Sequence, residues 1–162
     1  MPDVVELITR QHRLLENLLQ QAEQAEPTDL SGLLQQVADL LVPHSRAEES
    51  FVYPAVAEYD RGENEQVKDS AAEHHHIEGM LEELLTEDPS GPGYDGLLSA
   101  VIGELRHHIE EEEQDLLPVL SQQASEAERA ELGARFAEET VDRLDDDLVR
   151  RVEKTSARDK AF

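Results

Sequence analysis

Apolar residues recur at three- and four-residue steps over most of this chain, the period of an amphipathic helix. The first stripe opens after Asp3, a good N-cap, and joins Val5, Ile8, His12, Leu15, Leu19 and Ala22 as far as Gln24. Pro27 ends it. A second begins near Thr28 or Asp29 and carries Leu30, Leu33, Leu34, Val37, Leu41, His44, Glu48, Phe51 and Ala55. Pro43 and Pro54 each remove a backbone donor from it, which predicts kinks or a break. Tyr59 to Asn64, YDRGEN, reads as a turn. A third stripe then holds Val67, Ala71, His74, Glu78, Leu81 and Leu85. Thr86 to Gly96, with two prolines and three glycines, reads as a loop. The fourth stripe holds Leu98, Val101, Leu105, His108, Glu112 and Leu116 and stops or bends near Pro118. Four helices with short connections predict an all-α fold, an up-down-up-down four-helix bundle over residues 1–120.

Beyond Leu120 the pattern thins. Ser125 and Glu128 form an S-x-x-E capping box that opens a short fifth helix with Ala130, Leu132, Ala134, Phe136 and Ala137 on its apolar side. From Thr140 the chain is polar, either a continued helix or a fraying end. Residues 121–162 are thus a short C-terminal helical extension and tail, without a catalytic signal.

The chain has 162 residues, 38% hydrophobic, 32% charged and 4% aromatic, enough for one domain with a real core. Its 38 acidic residues against 14 basic ones give a formal net charge of −24. Such a surface repels nucleic-acid phosphates and anionic lipid and attracts cations. There is no cysteine, so disulfides, thiolate zinc sites and iron–sulfur clusters are excluded, and any metal is held by nitrogen and oxygen. The N-terminus lacks the features of a signal peptide, and no run approaches the about 18 apolar residues of a membrane span. The expected location is cytoplasmic.

Four histidines each precede a glutamate by four residues: His12 and Glu16, His44 and Glu48, His74 and Glu78, His108 and Glu112. Residues four apart lie one above the other on a helix. Four such helices packed together can aim eight metal-binding groups at one interior point. Segments two and four also look like copies. His44, Glu48, Glu49 and Pro54 have the spacing of His108, Glu112, Glu113 and Pro118, which predicts equivalent jobs across the bundle.

Helical phase sorts the seven histidines. His108 continues Val101 and Leu105, whereas His107 shares a face with Gly103, Glu104, Glu111 and Gln114. His74 aligns with Leu81, His75 falls with Lys68 and Glu82, and His76 is intermediate, a candidate to support a ligand from behind. His44 lies between Leu41 and Phe51, and His12 between Ile8 and Leu15. Glu16 shares its face with Thr9, Gln20 and Glu23, and most of the run Glu110 to Glu113 reads as a solvated face. Tyr53 and Tyr59 receive no role. Burying four imidazoles with two or more carboxylates costs several kcal/mol each without partners. Either they hydrogen-bond one another, or cations neutralise them.

The H-x-x-x-E-E repeats of segments two and four, the histidine early in segment one and the E-H-H run of segment three make residues 3–120 resemble the hemerythrin-like (HHE cation-binding) family. The acidic, alanine-rich style suggests a bacterial member. The resemblance implies a four-helix bundle around a non-haem di-iron centre, two iron ions with an oxo or hydroxo bridge, with manganese the alternative metal. By it, His12, His44, His74 and His108 are terminal ligands, and Glu48 and Glu112 are bridging carboxylates. Glu16 and Glu78 remain candidates from spacing alone. The chain departs from invertebrate hemerythrins in having Glu78 where they have a fifth histidine. It also offers both Glu112 and Glu113 where their carboxylate follows by five, which weighs against simple reversible oxygen carriage.

The expected partners are therefore small ligands: dioxygen, nitric oxide or peroxide. A binder or sensor of dioxygen or nitric oxide is the first reading, with Leu15, Leu41, Phe51, Leu81 and Leu105 keeping water from the site. An enzyme turning over peroxide or oxygen is the second, motivated by Glu78 and the acidic shell. An iron-handling protein and a metal-free acidic scaffold complete the alternatives.

Overall fold

A computed structural model describes residues 2–140, and among them every regular element is helical. Helix α1 spans Val4–Gln24, α2 Pro27–Ala47, α3 Tyr53–Tyr59, α4 Asn64–Thr86, α5 Tyr94–Glu111, α6 Leu117–Gln123 and α7 Glu126–Thr140. α2 runs into α3 through a π-helical turn, Glu48–Val52, and α5 into α6 through another, Glu112–Leu116, so each pair is one rod. The two π-turns fall on the two copies of the repeat. Each lies just ahead of a proline, Pro54 or Pro118, whose ring would collide with the carbonyl four residues back and which has no N–H to give. Widening the turn is the remedy. The N–H of Tyr53 reaches the carbonyl of Glu48, and that of Leu117 the carbonyl of Glu112, so neither rod breaks. Pro43 sits inside α2, which continues to Ala47.

The ends follow local chemistry. Asp3 accepts the Glu6 N–H at 3.0 Å. Ser125 and Glu128 cap one another reciprocally at 2.8 and 3.1 Å, the expected capping box. The connection after α4 is shorter than the sequence suggests at both ends, since Thr86 stays helical and α5 starts at Tyr94. Gly93, at φ 83°, supplies the left-handed residue that makes this sharp entry possible.

α1 packs on α2, α2 on α4, α4 on α5, and α5 returns to α1, while α7 lies against α1 and α2. Inside are two apolar clusters. One includes Leu15, Leu41, Ile77, Leu81, Leu105 and Ile109, and the other Ile8, Ala47, Phe51, Tyr53, Leu116 and Phe136. His12 follows Ile8 and precedes Leu15, and His44 follows Leu41 and precedes Ala47, so the histidine layer lies between the two. α7 is therefore part of the core. It seats Gly133, Phe136 and Thr140, while Ala134, expected on its apolar side, is exposed. The polar tail beyond Thr140 lies outside the described residues.

No described helix is long and apolar enough to cross a membrane.

Candidate metal centre

His12, His44, Glu48, His74, His108 and Glu112 converge in the bundle, each at most 2% exposed. Their donor atoms form two quartets: His12, His44, Glu48 and Glu112, and Glu48, His74, His108 and Glu112. Within each, the donors lie within 4.8 Å of one another, about twice the 2.0–2.2 Å bond of a first-row ion to imidazole or carboxylate. Glu48 and Glu112 belong to both. The geometry is that of two adjacent positions sharing two carboxylates, with two imidazoles at each end.

The imidazoles are aimed by partners behind them. His12 Nδ1 contacts Glu113 at 2.9 Å, His44 Nδ1 contacts Gln11 at 2.8 Å, His74 Nδ1 contacts Glu49 at 3.3 Å and His108 Nδ1 contacts Glu73 at 2.8 Å. A carboxylate only accepts, so His12, His74 and His108 donate from Nδ1, and Nε2 faces the centre. The arrangement has a twofold logic. The second glutamate of each H-x-x-x-E-E copy, Glu49 or Glu113, supports a histidine on another rod. The residue just before His12 or His74, Gln11 or Glu73, supports the histidine of the rod that follows.

Several inward atoms are left without a hydrogen-bond partner: His12 Nε2, Glu48 Oε1 and Glu112 Oε1. His44 Nε2 stands 2.8 Å from Glu48 Oε1, yet that oxygen receives no hydrogen bond. Buried acceptors facing one another cost energy unless a positive charge lies between them. A polar network alone leaves these atoms orphaned. The donor set fits two cations of the nitrogen- and oxygen-binding kind, iron or manganese among them.

Without cations, protons take over that duty. Burial opposes a charge on His12, but the nearby carboxylates of Glu112 and Glu113 outweigh it and raise its pKa to about 9. His108 is raised to about 10 in the same way, burial being overcome by Glu112 and Glu73. His74 is pushed down to about 4 by burial and by the His108 charge, and its Nε2 accepts a hydrogen bond from His108 Nε2–H at 2.9 Å. Burial and the neighbouring Glu112 charge lift Glu48 to about 7. Glu112 is itself buried, but the neighbouring Glu48, His108 and His12 hold it well below the usual range.

Tyr53, which the sequence left without a role, reaches the centre from the first residue of α3. Its hydroxyl donates to Glu112 Oε2 at 2.6 Å and lies 3.2 Å from both Glu48 Oε2 and His74 Nε2. Burial and the two carboxylates push the phenol well above its ordinary pKa, so it keeps its proton.

Glu16 and Glu78 stand outside both quartets. Glu16 pairs with Arg13 at 2.5 Å, and Glu78 lies 3.5 Å from Arg46. The reason is phase. α1 buries Leu15 and Leu19 and α4 buries Ile77 and Leu81, so in each the residue four past the histidine is rotated off the core. His75 and His107 are solvated, as their faces imply. His76 is too, at 63% exposure beside Glu104, and supports nothing in the centre. Glu113, expected among solvated glutamates, supports His12 and also pairs with Arg13. Gln11, Glu49 and Glu73 were likewise not singled out, though the doubled glutamate of the repeat was a usable signal for Glu49 and Glu113.

Residues 3–120 match the family model of the hemerythrin HHE cation binding domain, and the chain belongs to that family. It is 29% identical over 139 residues to an uncharacterised hemerythrin-like protein of the fission yeast Schizosaccharomyces pombe, a match covering 84% of this chain and 68% of the other. Its fold is similar to the crystal structure of a hemerythrin HHE cation binding domain-containing protein from Mycobacterium kansasii. The TM-score is 0.76 and the identity 25%, over 88% of each chain.

Proposed function

We propose that this protein holds two iron ions in the two quartets and uses them as a receptor for a small ligand, dioxygen or nitric oxide. The observation that carries this reading is the double membership of Glu48 and Glu112. Two carboxylates common to both quartets favour one dinuclear site over two separate ones. His12 and His44 would hold one ion, His74 and His108 the other, with both glutamates between. When bound, a ferrous pair supplies two electrons to a dioxygen or peroxide ligand. The chain's own residues do the rest. The outer carboxylates orient the imidazoles and raise their basicity, and the buried Leu15, Leu41, Phe51, Leu81 and Leu105 exclude water. Only a small ligand suits such a closed interior.

One observation favours a second reading, turnover of peroxide. Tyr53 places its phenolic oxygen 2.6 Å from Glu112 and 3.2 Å from Glu48, where its proton can be given to an oxygen-centred ligand and recovered. Glu78, which the sequence offered as a ground for an enzyme, lies outside the centre and gives no support.

Anaerobic loading with ferrous iron, followed by metal analysis and an optical spectrum with azide and nitric oxide, tests the proposal. Two irons per chain and a spectrum that changes with each ligand are expected. One iron or none ends the dinuclear reading. Steady oxygen release from added peroxide would move the assignment from receptor to enzyme.

A further inference from the structure

Three of the four histidines lean on a carboxylate, and His44 leans on an amide. Gln11 stands where the twofold logic of the site puts Glu73 on the other side. The difference matters because a carboxylate can only accept, whereas an amide presents an acceptor at one end and a donor at the other. Turned the wrong way, Gln11 would offer its N–H₂ to His44 Nδ1. The ring would then carry its proton on Nε2, the atom aimed into the quartet, and the position would be closed to a cation.

What sets the orientation of Gln11 is the last described residue of α7. Thr140 Oγ1 lies 2.7 Å from the carbonyl of Phe136, which accepts only, so the hydroxyl hydrogen is committed there. Its oxygen can then only accept, and the Gln11 group 2.9 Å away must be the amide nitrogen. That turns Gln11 Oε1 to His44, 2.8 Å from Nδ1, and leaves Nε2 with its lone pair inward. Phe136 also packs edge-on against the His44 ring, with centroids 5.5 Å apart. Gln11 and Thr140 are 4% and 0% exposed, so water does not compete for these bonds.

We infer that α7 acts through the relay Phe136 carbonyl, Thr140, Gln11 and His44 to fix the tautomer of one histidine, and so sets the affinity of the His12/His44 position alone. Thr140 and Gln11 are positioning residues. Thr140 lies beyond residue 120, where the family match ends, so the relay couples the matched domain to the helix that follows it. The His74/His108 position, supported by Glu49 and Glu73, is independent of α7.

The inference rests on the two-ion reading, and one set of titrations separates the two. Cobalt(II) is added under nitrogen to the metal-free full chain and to its variants, followed by calorimetry and the visible bands of the ion. Two equivalents are expected for the native protein, and fewer would overturn the two-ion reading and this inference with it. Given two, T140V, which leaves Gln11 free to turn, should weaken one equivalent about tenfold, the lower end of the usual effect of losing such support, and leave the other unchanged. T140S should behave as native. Q11E/T140V should recover the weakened equivalent, because a carboxylate cannot turn its donor to His44. A merely structural role for Thr140 would not produce that rescue. Equal weakening of both equivalents by T140V, or no recovery in the double variant, overturns the inference. If circular dichroism shows T140V unfolded, T140A takes its place: it should weaken one equivalent and leave the other unchanged, and an unchanged titration overturns the inference.

Discussion

Tyr53 donates its phenolic hydrogen to Glu112 across 2.6 Å, from the position that Leu117 occupies in the other copy of the repeat. Both residues directly follow a π-turn, but the first brings a hydroxyl to the centre and the second adds a buried side chain to the apolar core. Tyr53→Phe should leave metal uptake at the native level, because the quartets lose no donor. It should lower the stability of the metal-free protein by about 1–3 kcal/mol, since a buried carboxylate loses its partner. If Tyr53 serves proton transfer, peroxide turnover should fall by about 100-fold or more, as for loss of a general acid. Metal analysis, a denaturant melt and peroxide assays check the three parts separately.

The outer carboxylates give a second prediction, because they act on histidines far away in sequence. On the proposed two-ion reading, Glu73→Gln should weaken binding at His74 and His108, and Glu113→Gln binding at His12 and His44, each by about 10–100-fold. Glu16→Gln and Glu78→Gln, in residues that face arginines instead, should leave both affinities unchanged. Competitive titration against a chelator reads all four. Loss of metal from the Glu16 or Glu78 variant would show that spacing was the better guide than phase.

Four histidines and two glutamates of the centre were legible in the sequence because two signals overlapped on them. Helical phase separated His108 from His107 and His74 from His75, and the internal repeat singled out Glu48 and Glu112. Where only the four-residue spacing was available, at Glu16 and Glu78, it did not discriminate. A step of four turns about 40° past a full circle and a step of three about 60° short of one, and either can lie on the buried side. The deciding fact is where each rod's neighbours sit, which is tertiary. Gln11 and Thr140 were beyond reach for the same reason: nothing local says that residues 11 and 140 meet. Pro54 announced a disturbance, but that it would be a π-turn at the carboxylate was not readable.

The proton bookkeeping of the metal-free centre fixes the sign of its pH dependence. His12 and His108, ordinarily near 6.5, are raised to about 9 and about 10 by carboxylate partners that outweigh burial, so the stability they contribute is fully present below pH 6.5 and lost as the pH rises through those values. Glu48, raised from 4.5 to about 7 by burial and by Glu112, acts in the same direction at lower pH. His74, lowered to about 4, opposes them only below pH 6.5. The metal-free protein should therefore melt at progressively lower temperature from pH 6.5 to 10, by about 2–4 °C per kcal/mol lost. With Nε2 atoms occupied by ions, the slope over that range should flatten. Calorimetric scans with and without chelator check both statements. A metal-free midpoint that rises with pH would contradict the proton inventory.

The docking of α7 can be probed without touching the centre. Gly133 lies so close to the start of α1 that an added Cβ would meet the Pro2 carbonyl at 2.6 Å and backbone atoms of Asp3 and Val4 at 3.0 Å. The obstructing atoms are all backbone, so no side-chain rotation relieves the contact. Gly133→Ala gains about 1 kcal/mol of helix propensity, but overpacking costs about 1–3 kcal/mol, and with backbone on both sides the cost should win. Gly103, exposed in α5 with open space where a Cβ would go, is the control. There Ala meets nothing, and only the propensity gain remains. Gly133→Ala should lower the melting temperature and Gly103→Ala should raise it, each by a few degrees. Since Phe136 and Thr140 ride on the same helix, Gly133→Ala should also weaken one cobalt equivalent while Gly103→Ala weakens neither. A Gly133 variant that melts lower but binds both ions as tightly as the native protein would separate the packing of α7 from its hold on His44.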